Sequence, residues 1–300
     1  RWKLYFDVKR KIKKGEITKI NDFITYNLNI RQFAQDILEN TSDPELIKHF
    51  YKAILNITIL DPTCGSGAFL FASLNILEPL YAACIQRMEA FVAEATKGKF
   101  KFFEQTLEHI KSEDHPNLSY FIYKSIILNN LYGVDIMREA VEIAKLRLFL
   151  KLVATVDVDY KKENMGMEPL PDIDFNIRAG NTLVGFATEK ELDRGLTYTI
   201  DGVLAKPAVV ETMDMVAKAF SHYKEIQLTY GEDFASFKKA KDDLNKRLRD
   251  LNDKLNIYLS KVYGTGRAKE DEYKHWLETH QPFHWFAEFY ETINDNGGFD

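Results

Sequence analysis

A short apolar run that meets two closely spaced glycines is the feature that most constrains how this sequence can fold. Ile57 to Leu60 predicts a buried strand, and Gly65 and Gly67 form a Gly-x-Gly turn shortly after it. From Ala68 onward the apolar pattern becomes helical. A strand that ends in a glycine turn and opens into a helix lets backbone N–H groups approach a ligand without an intervening side chain. The pattern favours an α/β domain with a ligand site at this turn, and a purely structural corner is the alternative.

Two more predicted strands follow the first, and each is followed by polar residues. Leu131–Ile136 predicts one strand, and Ile173–Arg178 alternates in polarity as a second strand should. Helical segments separate the strands, so the order implies a parallel sheet wound with helices. Ligands in such sheets bind beyond the carboxyl ends of the strands. The loops after Leu60, Val134 and Arg178 would all lie there.

The rest of the sequence is predominantly helical. Residues 1–56 predict helices, and a further helix from Phe69 to Val92 should end or kink near Glu78 because Pro79 lacks a backbone N–H. We predict four parts: an N-terminal helical segment (1–56), a ligand-binding α/β domain (57–206), an inserted helical hairpin (207–262) and a return to the α/β domain (263–300).

The hairpin prediction depends on two heptad-like stretches between residues 207 and 262, joined by a short turn at Tyr230–Asp233. A pattern of this kind can bury its own seam, so we expect the sheet domain to fold without the hairpin. A spacer is the favoured interpretation, and an arm that docks a partner or flanks DNA is the alternative.

Composition narrows the possible classes of protein. With 45 acidic and 40 basic side chains the net charge is −5, which argues against this segment alone being a main DNA-binding surface. Cys64 and Cys84 form neither a disulfide framework nor a metal-ligand spacing, so we expect a cytoplasmic protein without a metal site. No segment approaches the roughly 20 apolar residues that span a bilayer. The N-terminus at Arg1 lacks an initiator methionine and a signal-peptide pattern, which indicates a piece of a longer chain.

Asp135, at the end of the second predicted strand, is a candidate ligand-binding carboxylate. An acidic residue at this place in nucleotide-binding α/β folds accepts hydrogen bonds from both ribose hydroxyls. In dinucleotide oxidoreductases it lies about 20 residues beyond the glycines, whereas Asp135 lies 68 residues beyond Gly67. The third glycine of that fingerprint is also missing, so NAD is disfavoured. A helix N-cap is the structural alternative for Asp135.

Several runs resemble one family of enzymes. Asp61–Leu70 resembles motif I, the cofactor loop, of the adenine-N6 DNA methyltransferases, which bind S-adenosylmethionine. Tyr132–Ala144 resembles motif II, and Gly180-Asn181 resembles motif III. The run Leu170–Gly185 is similar to the corresponding run of the large type IIG and Eco57I-like restriction–modification methylases, as is the helical run Asn21–Asp36, where motif X should fall.

The resemblance implies a fold and a set of cofactor-binding residues. The fold would be α/β, helix-rich and Rossmann-like, with a doubly wound, mainly parallel sheet. Asp61 and the loop amides would hold the methionine end, Asp135 the ribose and Asn181 the adenine, with Ile136 and Leu183 stacked on the ring. The implied cofactor-binding residues are Asp61, Pro62, Thr63, Cys64, Gly65, Ser66, Gly67, Ala68, Phe69, Asp135, Ile136, Asn181 and Leu183.

The resemblance also implies a reaction and a partner. The parent enzyme, bacterial and cytoplasmic, would methylate N6 of adenine in duplex DNA after the base leaves the stack, without a metal or a membrane. The catalytic Asn-Pro-Pro-Tyr/Phe tetrapeptide is absent, and Gly297–Asp300 resembles the strand that leads into it. We therefore expect these residues to be inactive alone. The alternatives are a cofactor sensor or scaffold module that methylates nothing, and a methylase acting on RNA or on a protein glutamine.

Overall fold

The computed structural model describes residues 1–96, 98–111, 117–156, 160–161, 170–197, 200–229, 234–265 and 270–300. The chain divides into two compact units, each assembled from separate stretches of sequence. The first unit comprises Arg1–Ile57, Phe71–Asn130 and Leu152–Met167. The second unit comprises Thr58–Leu70, Leu131–Lys151 and Glu168–Asp300. The four parts predicted in chain order stay a prediction.

Helices dominate the described residues, as predicted. They are α1 (Trp2–Lys13), α2 (Ile20–Thr25), α3 (Ile30–Asn40), α4 (Pro44–Asn56), α5 (Ala68–Glu94), α6 (Lys101–Ile110), α7 (Leu118–Asn129), α8 (Arg138–Val153), α9 (Glu189–Thr197), α10 (Ile200–Thr229), α11 (Phe234–Val262), α12 (Glu270–His280) and α13 (Trp285–Glu288), followed by a π-helical turn at Glu291–Asp295.

Polar side chains begin several helices of the first unit. Asn29 accepts a hydrogen bond from the Gln32 N–H (3.0 Å), and Asn117 accepts one from the Tyr120 N–H (2.8 Å). Asp43 accepts one from the Glu45 N–H (2.9 Å), directly before a proline at the first helical position of α4. Each of these bonds satisfies a backbone donor that the helix itself leaves unpaired.

The three strands β1 (Ile59–Asp61), β2 (Leu131–Asp135) and β3 (Ile177–Ala179) form a parallel sheet in the order β1-β2-β3. The parallel sheet predicted from the strand–helix alternation is therefore confirmed. Two predicted strand starts are wrong. The first strand begins at Ile59 rather than at Ile57. Residues 173–176 form a turn, because the N–H groups of Asn176 and Ile177 both bond the Ile173 carbonyl oxygen. The third strand begins only at Ile177.

The helix α5 continues through Pro79 to Glu94, so of the two predicted outcomes, an end or a kink near Glu78, the end is wrong. Proline removes one helical hydrogen bond, but burial of Leu77 and Tyr81 on either side of it favours the continuous helix. By length and composition α5 is also apolar enough to cross a membrane, contrary to the sequence expectation. Buried core helices of soluble proteins meet the same criterion, and Leu74, Tyr81 and Met88 are fully buried.

In the first unit, the buried side-chain amide of Asn130, directly after α7, connects α4 with α5. Asn130 Nδ2 donates to the carbonyl oxygens of Ile54 (2.8 Å) and Ile57 (2.7 Å), and its Oδ1 accepts from the Tyr81 hydroxyl (3.0 Å). These bonds satisfy a fully buried polar side chain, whose burial would otherwise be costly. A separate aromatic cluster contains Tyr5 and Phe33 of α1 and α3.

In the second unit, the hairpin helices α10 and α11 share one hydrophobic core with residues outside them. Val216 and Leu248 of the hairpin belong to the same buried cluster as Phe175, Phe186 and Phe286. The apolar positions of the hairpin thus also cover aromatic rings near β3 and α13, and folding of the sheet domain without the hairpin stays a prediction. The predicted turn Tyr230–Asp233 lies outside the described residues.

Candidate functional site

The loop between β1 and α5, which we call the first loop, is built largely by backbone hydrogen bonds. The Asp61 Oδ1 accepts from the Thr63 N–H (3.2 Å), and the Gly67 N–H donates to the Cys64 carbonyl oxygen (2.8 Å). The Cys64 N–H donates to the Val134 carbonyl oxygen of β2 (2.9 Å). The first loop is thereby fixed against the carboxyl end of the neighbouring strand.

Two features of the first loop have no counterpart within the described part of the protein itself. The Asp61 Oδ2 is buried and has no hydrogen-bond partner among the described residues. Gly65 has φ +52°, and a Cβ added there would meet no heavy atom within 4 Å. A buried carboxylate oxygen without a donor is costly in a folded protein. Both observations fit a ligand that supplies a donor and lies against the loop backbone.

Asp135 connects the first loop with the helix that follows β2. Its Oδ2 accepts from the Gly65 N–H (2.8 Å), and its Oδ1 accepts from the Met137 N–H (2.9 Å) one residue before α8. The Met137 N–H precedes the backbone donors that α8 itself leaves unpaired, so this bond forms a turn before the helix and not the helix N-cap that is the structural alternative for Asp135. The other oxygen bonds the glycine turn directly. Gly65 and Asp135 lie 70 positions apart in the chain.

The outer part of the first loop is held from α8. Arg147 Nη1 donates to the Ser66 carbonyl oxygen (2.6 Å) and to its hydroxyl (3.2 Å). Beside it, Gly67 packs closely on the same helix, because an added Cβ would lie 3.2 Å from the Ala144 Cβ. The remaining predicted loop residues are exposed: Pro62, Thr63, Ala68 and Phe69.

Cys64 has a structural role in this loop. Its side chain is buried, and a Cβ added at Gly133 of β2 would lie 3.1 Å from its sulfur. Burial raises the pKa of the Cys64 thiol to about 12, with smaller contributions from the carboxylates of Asp61 and Asp135. The thiol is therefore neutral at physiological pH, which disfavours a reactive nucleophile.

The loop after β3, which we call the third loop, is formed with a distant segment. The Asn181 N–H donates to the Gln281 carbonyl oxygen (2.7 Å), and the Asn181 Oδ1 accepts from the Leu183 N–H (3.1 Å). A Cβ added at Gly180 would lie 2.6 Å from the Phe283 ring. Leu183 is 91% exposed, so nearly all of its side chain contacts solvent.

A cleft of about 620 Å³ opens at the carboxyl ends of β2 and β3. The lining residues at these strand ends are Ile136, Ala179 and Gly180. Those from the helical part of the unit include Asn256 and Pro282. Further lining residues are Met137, Arg138, Glu139, Leu277, Glu278 and Gln281, three of which are charged. Of the predicted adenine-binding residues, Ile136 lines the cleft, whereas Asn181 and Leu183 are not among its lining residues.

Sequence reasoning missed the helical side of the cleft. Asn256 lies on α11 between Asn252 and Ser260, and this spacing of four puts three uncharged polar side chains on one helix face. Among the many charged residues of α11, such a row is the signal that could have identified Asn256. For Gln281 and Pro282, the sequence offers no comparable signal.

The side-chain amide of Asn256 is hydrogen-bonded to a buried histidine, His284. The His284 Nδ1 accepts from the Phe186 N–H (3.2 Å), and its Nε2 lies 3.0 Å from the Asn256 Oδ1. Burial lowers the pKa of His284 to about 3, so the ring is neutral over the physiological range. Because Nδ1 accepts, Nε2 carries the proton and donates to Asn256.

A buried ion pair supports the third loop from the other end. Arg178, two residues before Gly180, pairs with Glu288 of α13, and Asn252 Nδ2 donates to Glu288 Oε1 (2.6 Å). The Arg178 guanidinium also lies over the Phe175 ring, 5.3 Å from its centroid. These contacts join β3, α11 and α13. The described residues contain no group of three or more His, Cys, Asp or Glu side chains that could hold a metal ion.

The fold and the site define a class of protein. A parallel sheet whose first strand ends in a glycine loop, and whose second strand ends in an acidic residue bonded to that loop, is the arrangement of α/β proteins that bind nucleotide-like ligands. Residues 35–185 match the family model "MmeI, DNA-methyltransferase domain", and residues 129–300 match "Eco57I restriction-modification methylase". The chain belongs to the Eco57I restriction–modification methylase family, and the resemblance inferred from its motifs is confirmed.

A curated relative agrees with this family. A protein of Methanocaldococcus jannaschii named as a type II restriction enzyme and methyltransferase, RM.MjaORFECS2P, is 29% identical over 318 residues. The match covers 93% of this chain and 24% of the relative, so the chain spans about a quarter of that protein's length. No solved structure matches the chain.

Proposed function

We propose that this chain is the S-adenosylmethionine-binding part of a DNA methyltransferase from a restriction–modification system, with the N6 amine of adenine in duplex DNA as its target. The observation that carries the proposal is the pairing of the first loop with Asp135. The glycine turn is fixed by the carboxylate at the end of β2, and the Asp61 Oδ2 beside it lacks a partner within the described residues. The strand order β1-β2-β3 fits one half of a doubly wound sheet.

The residues present fit this cofactor. Asp61 Oδ2 would accept from the ammonium group of the methionine end, and the open space at Gly65 lets the ligand lie against the loop backbone. Each oxygen of Asp135 already accepts one backbone N–H, and a carboxylate has about four acceptor sites in all. Two sites therefore stay open for the ribose hydroxyls. Ile136 lines the cleft that would take the adenine ring. When bound, the cofactor supplies an electrophilic methyl group.

Adenine as the target, duplex DNA as the partner and the inactivity of these residues alone belong to the proposal. The family names support a methylase of restriction–modification systems. The resemblance of the loops to those of adenine-N6 enzymes supports adenine. The net charge of −5 favours DNA contacts made mostly by other parts of the parent protein. The 300 residues contain no Asn-Pro-Pro-Tyr/Phe tetrapeptide, so we infer that they bind the cofactor without transferring its methyl group.

Calorimetry tests cofactor binding. We expect residues 1–300 to bind S-adenosylhomocysteine and not NADH, and Asp61→Asn to weaken that binding because it alters the buried carboxylate. Asp43→Asn is a matched control, since Asp43 also accepts from the N–H two residues on but lies at the start of α4. Binding of NADH without a response to S-adenosylhomocysteine would overturn the assignment.

Methyl incorporation tests the reaction. Residues 1–300 should give background transfer of tritiated methyl groups to mixed-sequence DNA, and a chain that includes the tetrapeptide and a recognition domain should form N6-methyladenine. Chromatography of the digested DNA identifies the modified base. Methylcytosine as the product would contradict adenine as the target, and adenine methylation by residues 1–300 alone would show that the catalytic site lies within them.

A further inference from the structure

The cleft contains one amide whose function the family resemblance does not assign. Asn256, on α11 of the hairpin, is 8% exposed and lines the cleft together with Ile136 and Gly180. A polar side chain this deeply buried needs hydrogen-bond partners on both its oxygen and its nitrogen. The hairpin thus contributes a polar group to a cleft that otherwise lies at the ends of β2 and β3.

The hydrogen bonds of His284 fix the orientation of the Asn256 side-chain amide. The Phe186 N–H donates to Nδ1 of the ring, so the remaining nitrogen, Nε2, is the donor, and it lies 3.0 Å from the Asn256 Oδ1. An amide flipped by 180° would place two donors against each other. The histidine is fully buried and its ring stacks on Phe186, which fixes the imidazole in turn.

The Asn256 nitrogen is left for a ligand. With Oδ1 held by His284, the Nδ2 group carries two N–H donors, and these form no hydrogen bond with the described residues. Ile136, Ala179, Gly180 and Pro282 give the cleft an apolar part, and the exposed charged side chains of Arg138, Glu139 and Glu278 also line it. An oriented amide donor beside an apolar surface suits a flat heteroaromatic ring that has an acceptor nitrogen at its edge.

We propose that Asn256 is a specificity-determining residue that donates a hydrogen bond from Nδ2 to a ring nitrogen of the purine bound in this cleft, and that His284 is a positioning residue that orients it. The inference rests on the proposed function for the presence of an adenosyl ligand. It goes further by giving the inserted hairpin a part in ligand recognition, where the sequence favoured a spacer. Adenine offers acceptor nitrogens at ring positions 1, 3 and 7, and one of them would receive the bond.

Deaza analogues of S-adenosylhomocysteine test the proposal on the unaltered chain. Replacing one ring nitrogen with C–H removes the acceptor and leaves the shape of the ring. We expect one of the 1-, 3- and 7-deaza analogues to bind about tenfold more weakly by calorimetry, the upper range for one neutral hydrogen bond. Equal affinities for all four ligands would overturn the proposal without any variant being made.

The isosteric variant Asn256→Asp identifies the donor. It keeps an oxygen for His284 to donate to and replaces the Nδ2 donor with an acceptor. S-adenosylhomocysteine should bind about tenfold more weakly to it, and the sensitive deaza analogue should show no further loss. Asp253→Asn, an exposed change of similar size on the same helix, should leave every affinity unchanged. Unchanged affinity of Asn256→Asp would overturn the proposal, as would a further loss with the sensitive analogue equal to that in the unaltered chain.

Two variants of His284 test whether this residue orients the Asn256 amide. His284→Phe retains an aromatic ring against Phe186 but removes the donor, whereas His284→Gln can still donate to Asn256. We expect discrimination against the sensitive analogue to be lost in His284→Phe and kept in His284→Gln, at equal folded fractions by circular dichroism. Equal discrimination in both variants would remove the positioning role. If the unaltered chain binds S-adenosylhomocysteine and Asn256→Asp binds it equally well, only this inference fails; if the unaltered chain binds no adenosyl ligand, the proposed function fails with it.

Discussion

The first and third loops both follow a parallel strand and both contain glycines, but Gly65 of the first loop and Gly185 of the third serve opposite purposes. At Gly65 an added Cβ would meet open space, whereas at Gly185 it would lie 1.9 Å from the Phe283 carbonyl oxygen. Gly65 therefore keeps room beside the backbone, and at Gly185 the protein's own chain occupies that room. A glycine in a strand-end loop indicates a ligand only where the space beside it stays open.

The two loops also differ in which distant residues support them. Each loop has a local bond, from the Thr63 N–H to Asp61 in the first loop and from the Leu183 N–H to Asn181 in the third. Asp135 and Arg147 also hold the first loop, whereas the third loop takes a backbone bond from Gln281, 100 residues after Asn181. The local bonds belong to contiguous sequence motifs, and the distant supports are visible only in the folded chain.

The largest effect should come from Gly185→Ala. The added methyl group would collide with the backbone at Phe283, which no side-chain movement can relieve, and φ at this residue is +156°. We expect the free energy of unfolding to fall by about 3 kcal/mol, at the upper end for overpacking. Urea unfolding followed by circular dichroism measures it. An effect below that of Gly65→Ala would contradict the contrast between the two loops.

Asp135→Ala should have the next largest effect, and on ligand affinity above all. It removes the acceptor of the Gly65 and Met137 N–H groups and, on the proposed function, the contact with the ribose. We expect S-adenosylhomocysteine binding to weaken by about 2 kcal/mol, the scale of hydrogen bonds to a charged group. If calorimetry gives an unchanged dissociation constant with an intact fold, Asp135 only supports the loop and the helix.

The next prediction concerns the pH dependence of stability that results from His284, whose Nδ1 accepts from the Phe186 N–H of the third loop. Burial lowers the pKa of His284 from 6.5 to about 3, so between these values the unfolded chain binds a proton that the folded chain does not. The stability is therefore complete above pH 6.5 and decreases as the pH falls towards 3. The contribution is at most about 1.4 kcal/mol per pH unit.

This contribution can be isolated by comparing variants. His284→Gln should unfold with a flatter pH dependence than the unaltered chain between pH 6.5 and 4, as measured by urea titrations at several pH values. His49→Gln is the control, because the His49 side chain is 73% exposed. If both variants keep the slope of the unaltered chain, burial of His284 does not govern it.

The smallest effect on stability should come from Gly65→Ala. Alanine at φ +52° costs about 1 kcal/mol, and the space around it contains no atom with which the methyl group could collide. The loss in cofactor affinity should exceed this loss in stability, because the ligand would need the same space. Calorimetry and urea unfolding on one preparation give both numbers. A loss in stability larger than the loss in affinity would show that the first loop needs its glycine only for folding.

The sequence predicted the parallel sheet, the helical character, and the placement of the first loop and Asp135 at the same edge of the sheet. These depend on local apolar runs and on contiguous motifs, in which neighbouring residues constrain one another. It did not predict the bond between Asp135 and Gly65, nor the turn at residues 173–176, where the Ile173 carbonyl oxygen accepts two local bonds although alternating polarity suits a strand. It also missed Asn256 of the cleft and its bond to the buried His284, since this pairing joins residues 28 positions apart on separate elements.

The hydrogen bonds of Asp135 have a consequence for the thermodynamics of recognition. Its carboxylate is already held by the Gly65 and Met137 N–H groups before any ligand arrives. A ligand that binds it therefore immobilises no side-chain rotor at this position, where ordering a free side chain costs about 0.5–1.5 kcal/mol. The strand end is preorganised, and on the proposed function its selectivity for a vicinal diol would depend on geometry fixed during folding rather than on adjustment during binding.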